Sequence, residues 1–350
     1  MKASSTIGCL LGTAVGDALG LPYEALSPQR AAKLLGPSDR YRLIGRWGLV
    51  SDDTEHSCLV AETLIESGGS PDAFRRGLAR RLRQWLLTLP AGVGSATARA
   101  ILKLWVGFSP ERSGVFSAGN GPAMRAPILG VGVADPSQLR AFVRASTRLT
   151  HTDPQAEHGA YAIALAARMA AEHAQVHPDA FLGAVSAELG AEAKPLTDVI
   201  AAAARSAARG ESTPAFAASI GLAKGVSGYV NHSVPVALHA WFRHPDDLEA
   251  AVWSVIECGG DTDTTAAMVG GILGAALGPS GIPPRWLQRL AEWPRSVAWM
   301  ERLGDQLADT LHKSRPQRAI RVPIFAVLLR NLLFLLIVLV HGFRRLLPPY

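Results

Sequence analysis

Two segments of the chain carry glycine at every fourth position, and this spacing restricts the fold more than any other feature. Residues four apart lie on one face of a helix, and glycines there leave a smooth stripe on which a second helix can pack closely. In a membrane protein this pattern suggests helix dimerisation, but Asp17 and the short apolar length of the first segment argue against a span. We therefore expect the two helices to be the closest-packed pair of the core. The glycines are Gly8, Gly12, Gly16 and Gly20 in the first segment and Gly270, Gly274 and Gly278 in the second.

The remainder of the 350-residue chain predicts a mostly helical protein. Apolar residues recur with helical periodicity between short breaks of Gly and Pro, and alternation typical of strands is not evident. Residues 30–48 are expected to form an irregular loop. Further helices are predicted at 55–67, 71–87, 95–106, 155–174, 178–207, 233–241 and 246–256.

A cluster of oxygen-bearing side chains precedes the second glycine helix. Asp261, Asp263 and Thr264 follow the flexible pair Gly259 and Gly260, which lets the backbone curl so that alternate carboxylates point inward. Such a turn suits a hard cation such as Mg²⁺, Mn²⁺ or Ca²⁺. The alternative is that Asp263 or Thr264 only caps the helix.

A second acidic cluster, formed by Ser51, Asp52, Asp53 and Thr54, lies far away in sequence and also opens an apolar-periodic segment. Acids are favoured in a first helical turn by the helix dipole, which is the simpler explanation. Adjacent carboxylates nevertheless repel each other, and a cation between them would remove that penalty. The two acidic helix starts are therefore predicted to face each other across one site.

Three further features are candidates for the same site. The loop at 117–130 contains Gly119 and Gly121, whose backbone N–H groups suit anionic oxygens, and Arg125 would add charge-assisted bonds. His151 lies between two helical runs and could donate to a phosphate or ribose, or could be an ordinary packed histidine. Glu24 follows the first glycine helix, where a solvated loop acid is the alternative.

Charge and cysteine content narrow the class of protein. The net charge of +6 comes from residues 313–350, which hold seven Lys or Arg and no acid, so the rest of the chain is close to neutral. A basic groove for nucleic acid is therefore not expected. The three cysteines, Cys9, Cys58 and Cys258, indicate neither a disulfide framework nor a zinc site. With no secretory signal evident, we expect a body, residues 1–312, that folds in the cytoplasm.

The tail, residues 313–350, contains the apolar run 322–340. Its length is close to the roughly 20 residues that span a bilayer, but Arg330 and Asn331 interrupt it. One hypothesis is a membrane anchor, oriented by the basic residues before the run so that the body stays cytoplasmic. The alternative is a hydrophobic helix that docks on the body or in a dimer interface, with Arg330 reaching a polar surface.

Five blocks of the sequence, taken together, resemble the ADP-ribosylglycohydrolase family. The blocks are GCLLGTAVGDALGLPYE, SDDT, GNGPAMR, RLTHTDP and GGDTDT, in family order between residues 8 and 264. The resemblance implies an all-α orthogonal helical bundle, extended here by a hydrophobic C-terminal helix. It also implies two Mg²⁺ or Mn²⁺ ions in a cleft that receives ADP-ribose on a modified protein.

The resemblance further implies roles for individual residues. Ser51, Asp52 and Asp53 would bind one metal, Asp261 and Thr264 the other, and Asp263 would bridge them. Ser51 stands where many family members have Thr, which keeps the hydroxyl. Glu24, Asp53 and Asp263 would be catalytic, with Glu24 a base or gate. The ADP-ribose pocket would be lined by Gly119, Asn120, Gly121, Met124, Arg125, His151 and, as a weaker candidate, Tyr229.

The expected activity is hydrolysis of the bond at the ribose anomeric carbon, with arginine-linked ADP-ribose as the preferred substrate. Two cations would orient the ribose hydroxyls and offset charge in an oxocarbenium-like transition state. The rival hypotheses are a non-catalytic ADP-ribose-binding or crystallin-like structural protein, and an immunity protein against an ADP-ribosylating toxin. All six predicted metal-binding positions keep an oxygen-bearing side chain, which favours the enzyme.

Overall fold

The computed structural model describes residues 1–36, 39–173 and 175–346. The last residue of the helix predicted at 155–174 and the end of the tail, residues 347–350, lie outside this part of the chain. The described residues form helices joined by loops and short 3-10 turns, with isolated bridges and no strand. The all-α fold class is therefore confirmed.

The helices follow one another along the chain with short connections. The first nine are α1 (Ala3–Gly20), α2 (Pro28–Leu35), α3 (Asp52–Ser67), α4 (Pro71–Leu86), α5 (Ser95–Trp105), α6 (Gly121–Met124), α7 (Pro127–Gly132), α8 (Leu139–Arg148) and α9 (Pro154–Glu172). The remainder are α10 (Pro178–Leu189), α11 (Lys194–Ala208), α12 (Thr213–Ser219), α13 (Val230–Arg243), α14 (Leu248–Ile256), α15 (Thr262–Leu277), α16 (Pro284–Leu287), α17 (Val297–Lys313) and α18 (Ile324–Arg344).

The two glycine helices, α1 and α15, form the centre of the fold and make its most extensive helix contact, as predicted. A Cβ atom at Gly12 would overlap the carbonyl oxygen of Gly270, and one at Gly274 would overlap that of Gly8. The backbones are thus in direct contact along the stripe. α1 also packs on α3 and α17, and α15 packs on α9, α13 and α14.

Three sequence-based element predictions were wrong in detail. Residues 30–48 are not wholly irregular, because α2 begins at Pro28 with Ser27 as its N-cap. The helix predicted at 178–207 is interrupted at Gly190, which has a φ of +70° and ends α10. The helix predicted from residue 55 begins at Asp52, because Ser51 caps it by accepting a hydrogen bond from the Asp53 N–H.

In the structure the tail forms the helix α18, which packs against the body. In α18, Arg330, Asn331 and His341 are buried against the body. Large apolar side chains such as Leu336 and Phe343 are exposed on its outer side. Two described helices are long and apolar enough to cross a bilayer, the segment Ala3–Tyr23, which is mostly buried in the core, and α18.

Candidate active site

Two helix N-termini that are far apart in sequence meet at the floor of one pocket. α3 contributes Ser51, Asp52 and Asp53, and α15 begins beside them. Thr264 Oγ1 donates to Asp53 Oδ2 at 3.4 Å, which links the two helix starts directly. The pocket has a volume of about 350 Å³. Its floor is formed by Ser51, Asp52, Asp53, Asp261, Asp263 and Thr264, and Glu24 also lines it.

Asp17, which the sequence analysis did not assign to the site, fixes the start of α3. Its carboxylate accepts from the Ser51 N–H at 2.9 Å and from the Thr54 N–H at 3.2 Å, and it also accepts from the Thr54 hydroxyl. Burial raises the pKa of Asp17 to about 6, against the opposing effect of these hydrogen bonds. The available signal was a lone acid inside an apolar glycine helix.

The turn before α15 is joined to the Glu24 segment through the backbone. Ala25 N–H donates to the Gly260 carbonyl at 2.7 Å, and Gly260 N–H donates to the Leu26 carbonyl at 2.8 Å. Gly260 needs a positive φ, +80°, and a Cβ there would overlap Val226. Ala25 also has a positive φ, +60°, which is rare outside glycine and is often found at functional sites. Glu24 is thereby held at the mouth of the pocket beside Asp261.

The carboxylates of the floor repel one another in a poorly solvated place. Burial, followed by neighbouring acids, raises the pKa of Asp52, Asp53 and Asp263 well above the usual range. The pKa of Asp261 is raised by burial and lowered in part by hydrogen bonds, including the 2.7 Å bond from Asn120 Nδ2. Keeping several of these carboxylates ionised costs free energy unless a positive charge lies among them.

The donor atoms fit a hard cation. Asp53 Oδ1 and Asp263 Oδ1 are buried and lack a hydrogen-bond partner within the described residues. Carboxylate and hydroxyl oxygens are the ligands that Mg²⁺ and Mn²⁺ prefer. Residues 1–36, 39–173 and 175–346 contain no preformed group of three His, Cys, Asp or Glu side chains arranged for a metal. The support for a cation here therefore comes from the type of donor atoms in the floor. It does not come from a preformed coordination shell.

The simple capping explanation does not fit the start of α15. Asp261 occupies the N-cap position, but its side chain makes no capping hydrogen bond. It instead accepts from Asn120, whose backbone N–H is bonded to the Gly228 carbonyl. Asp263 lies in the first turn with one oxygen unpartnered. The acids of this turn are thus directed into the pocket.

His151 and the glycine loop form one side of the pocket. A Cβ at Gly119 would lie 3.1 Å from His151 Nε2, and one at Gly121 would lie 3.2 Å from His151 Cε1, so both positions leave room for the imidazole. Burial and then Arg125 lower the pKa of His151 to about 3, which keeps the ring neutral at pH 7. Met124 lines the pocket beside this loop.

Arg125 does not line the pocket, contrary to the prediction. Its side chain is fully buried, and its guanidinium donates to Ser146 Oγ, to the Ser146 carbonyl and to Thr150 Oγ1 at 2.9 Å. Thr150 Oγ1 is also 2.9 Å from His151 Nδ1. The hydroxyl hydrogen has two acceptors within reach, the Thr147 carbonyl at 3.5 Å and His151 Nδ1 at 2.9 Å. The shorter contact favours donation to Nδ1, which puts the proton of neutral His151 on Nε2. Arg125 therefore orients His151 from behind.

Tyr229 also lies outside the pocket lining, although its neighbour Gly228 belongs to it. Its hydroxyl donates to Gln155 Oε1, and its ring contacts that of His232 edge-on. This placement favours a role in fixing the start of α13 over contact with a ligand.

Two parts of the pocket were missed by the sequence analysis. The N-terminus of α5 contributes Ser95, Ala96 and Thr97, but loop glycines and a helix start of this kind are too common to indicate a site. The tail helix contributes Phe334 and Val338. Neither residue carries a chemical signature, and only the docking of α18 brings them to the site.

Comparison with known proteins agrees with this geometry. The family model described as ADP-ribosylglycohydrolase matches residues 2–317. An uncharacterized protein of Archaeoglobus fulgidus is 33% identical over 294 residues, covering 81% of this chain and 90% of its own. The ADP-ribosyl-[dinitrogen reductase] glycohydrolase of Rhodospirillum rubrum is 28% identical over 308 residues, covering 81% and 89%.

A human relative and a solved structure extend the likeness. The human ADP-ribosylhydrolase ARH3 is 28% identical over 353 residues, covering 87% of this chain and 92% of its own. A solved structure titled ADP-ribosylglycohydrolase-related protein complex superposes with a TM-score of 0.65 at 27% identity, covering 88% of this chain and 98% of its own. The chain therefore belongs to the ADP-ribosylglycohydrolase family, whose members are hydrolases of ADP-ribosylated substrates.

Proposed function

We propose that this protein removes ADP-ribose from a modified protein side chain, with arginine as the preferred acceptor, in a reaction that needs two Mg²⁺ or Mn²⁺ ions. The observation that carries the proposal is the meeting of two buried acidic helix starts, in which Asp53 Oδ1 and Asp263 Oδ1 have no hydrogen-bond partner. Buried carboxylate oxygens without partners are expensive for a fold to keep unless they serve a ligand.

The two acidic helix starts would hold one cation each. Ser51, Asp52 and Asp53 would bind the first and Asp261 and Thr264 the second, with Asp263 between them. When bound, the cations would supply positive charge that orients the ribose hydroxyls and offsets charge developing at the anomeric carbon.

Glu24 is the chain's best placed general base. It is exposed at the mouth of the pocket, and partial loss of solvent and then Asp261 raise its pKa above the usual value. A raised pKa brings a carboxylate closer to neutral pH, where it accepts a proton from water more effectively. The leaving group would depart through an oxocarbenium-like transition state at the ribose.

Substrate binding would use the glycine loop and His151. Gly119 and Gly121 lie against the imidazole and line the pocket together with it. Neutral His151, with its proton on Nε2, would donate one hydrogen bond to a phosphate or ribose oxygen without adding charge. Asn120 is held in place by its 2.7 Å bond to Asp261.

One experiment tests the activity and the acceptor together. Protein substrates with arginine-linked and serine-linked ADP-ribose, and a nucleic-acid-linked substrate, are incubated with the full chain and Mg²⁺ or Mn²⁺. Release of ADP-ribose is measured with and without EDTA and for Asp263→Ala. We expect release from the arginine-linked substrate that EDTA and Asp263→Ala both abolish. Equal release under all conditions would reject the metal-dependent mechanism, and failure on every linkage with ADP-ribose still bound would favour a binding protein.

We also propose that the body is cytoplasmic and that the outer side of α18 rests on an anionic membrane surface. Exposed apolar side chains such as Leu336 are flanked by exposed Arg321 and Arg344. An apolar face with basic flanks is the pattern of helices that lie in the bilayer interface and bind anionic lipid. A spanning helix would instead have to withdraw buried Arg330 from the body.

Vesicle flotation tests the membrane contact. The full chain is expected to float with vesicles containing phosphatidylserine and to remain behind with phosphatidylcholine alone. Leu336→Glu, which places a charge on the outer side, should abolish flotation and leave turnover unchanged. Wild-type protein that stays soluble and monomeric with both kinds of vesicle would reject this placement.

A further inference from the structure

The tail helix α18 is attached to two of the three segments that carry the carboxylates of the pocket. Near its start, Arg330 Nη2 donates to the Val50 carbonyl at 2.6 Å, immediately before Ser51. Near its end, Arg345 donates to the carbonyls of Pro22 and Glu24, at 2.6 Å and 2.8 Å. The helix therefore reaches from the start of α3 to the Glu24 loop.

Two side chains between these two attachments face the pocket. Phe334 and Val338 follow Arg330 by four and eight residues, so all three lie on one side of the helix. Both line the pocket that contains Asp53 and Asp263. Phe334 is buried, and the Arg330 guanidinium lies over its ring at 4.2 Å, which fixes its orientation.

Polar bonds select this docked position. Arg330 forms a buried ion pair with Glu292 at 2.6 Å, and Glu292 also accepts from the Val50 N–H at 3.2 Å. Asn331 Nδ2 donates to the Thr88 carbonyl at 3.0 Å. A helix held only by apolar contacts could slide along the body, but these bonds require one register.

We propose that α18 is a wall of the active site, in which Phe334 and Val338 determine how ADP-ribose is seated and Arg345 is a positioning residue for Glu24. The inference rests on the proposed function and adds a part of the chain that lies beyond the family match at residues 2–317. The floor of the pocket is polar, so an apolar wall restricts the ligand to one orientation in which its polar groups face the carboxylates and the glycine loop.

The seating of the ligand is tested by adding bulk to the wall. Val338→Trp narrows the pocket, whereas Leu336→Trp adds the same side chain on the exposed outer side of the same helix. Calorimetry with ADP-ribose and Mg²⁺ should show binding weakened by about tenfold or more for Val338→Trp and unchanged for Leu336→Trp. If both variants bind ADP-ribose as tightly as wild type, α18 is not a wall of the ligand pocket.

The hold on Glu24 is tested by hydrogen exchange, which does not depend on the activity. Arg345→Ala should speed exchange of the Ala25 and Leu26 amides, which donate to Gly260 and Tyr23. Arg344→Ala removes the same charge from an exposed neighbour and should not. Arg345→Ala should also lower kcat more than it raises KM, and Arg345→Lys, which keeps the charge and one donor nitrogen, should recover part of the rate.

The outcomes separate this inference from the proposed function. Wild-type protein that binds ADP-ribose without hydrolysing it would reject the proposed activity. The Val338 and Leu336 variants would still test whether α18 is a wall of the pocket. Wild-type protein that does not bind ADP-ribose would reject the seating role of Phe334 and Val338 along with the proposed function. Unchanged exchange in Arg345→Ala would overturn the positioning role whatever the activity.

Discussion

The α1 and α15 pair under the pocket and the α18 helix beside it are held by opposite kinds of contact. At Gly12 and Gly270 the backbones of the pair touch directly, with no space for a side chain. α18 is held by a few buried polar groups, chiefly Arg330 and Asn331, while its outer side remains apolar and exposed. The helices under the floor are thus held by close backbone packing, and the wall, α18, is held by specific polar bonds.

This difference matters because the two regions carry different parts of the proposed reaction. The floor positions Asp53 and Asp263, and the proposed reaction requires these two side chains to keep their relative positions. Phe334 and Val338 of the wall line the pocket, so in the proposed reaction a change there would alter the fit of the ligand and leave the floor intact. The family match ends at residue 317, so the wall lies outside the part of the chain that defines the family.

The largest effect is expected from breaking the attachment of the wall. Arg330→Met leaves Glu292 buried without its cation and should lower the free energy of unfolding by about 3–5 kcal/mol. The measurement is urea unfolding of the full chain. Arg344→Met, on the exposed side of the same helix, should change it by less than about 0.5 kcal/mol.

A double variant distinguishes the ion pair from simple loss of packing. Glu292→Gln keeps an oxygen for the Val50 N–H and removes the unpaired charge. Arg330→Met combined with Glu292→Gln should therefore recover most of the lost stability. A double variant as unstable as Arg330→Met would contradict the assigned importance of the ion pair.

The next effect concerns the floor. Gly274→Ala places a Cβ against the Gly8 carbonyl, and separating the two helices should cost about 1–3 kcal/mol or more. Gly183→Ala is the matched control in the middle of α10, where a Cβ meets nothing within 4 Å. That control should gain about 0.5–1 kcal/mol from the helix preference for alanine. Thermal unfolding that ranks the two variants the other way would refute the backbone contact.

The next effect, on turnover and not on stability, is expected where wall and floor meet, at Glu24. Glu24→Gln removes the proposed base and should lower kcat by about 10²-fold, which corresponds to about 2.7 kcal/mol. Calorimetric affinity for ADP-ribose should change little, because the amide keeps the shape of the side chain. Glu257→Gln, an exposed acid at the end of α14, is the control. Normal turnover in Glu24→Gln would leave Glu24 as a loop acid.

Much of the floor could be predicted from the sequence, because its features are local in the chain. Glycine at four-residue spacing predicts a close helix pair without knowledge of the partner. The acids around Asp53 and Asp263 are recognisable because each cluster opens a helix, and the structure brings the two clusters together. Their roles as metal ligands remain predictions.

The docking of α18 and the buried side chains that support the site, such as Arg125, could not be predicted in the same way. Arg330 interrupts an apolar run, but nothing local indicates that its partner is Glu292, 38 residues earlier. Arg125 belongs to the recognisable loop GNGPAMR, yet a motif does not show whether a side chain points into a pocket or behind it. Such facts depend on contacts between distant segments, which periodicity and spacing do not encode.

The smallest effect should come from the hydroxyl that connects Arg125 to His151. Thr150→Val removes the group that lies 2.9 Å from both Arg125 Nη2 and His151 Nδ1. Without it, His151 loses the bond that favours the proton on Nε2, and ADP-ribose affinity should fall by about tenfold, or about 1.4 kcal/mol.

Two variants show whether that loss comes from the hydroxyl. Thr150→Ser retains the group and should bind ADP-ribose like wild type. Thr147→Val removes a hydroxyl that is equally buried in the preceding turn but has no hydrogen-bond partner within the described residues. It should leave the affinity unchanged. If calorimetry gives the same affinity for Thr150→Val and Thr147→Val, the hydroxyl does not orient His151, and the imidazole must be positioned by packing against Gly119 and Gly121 alone.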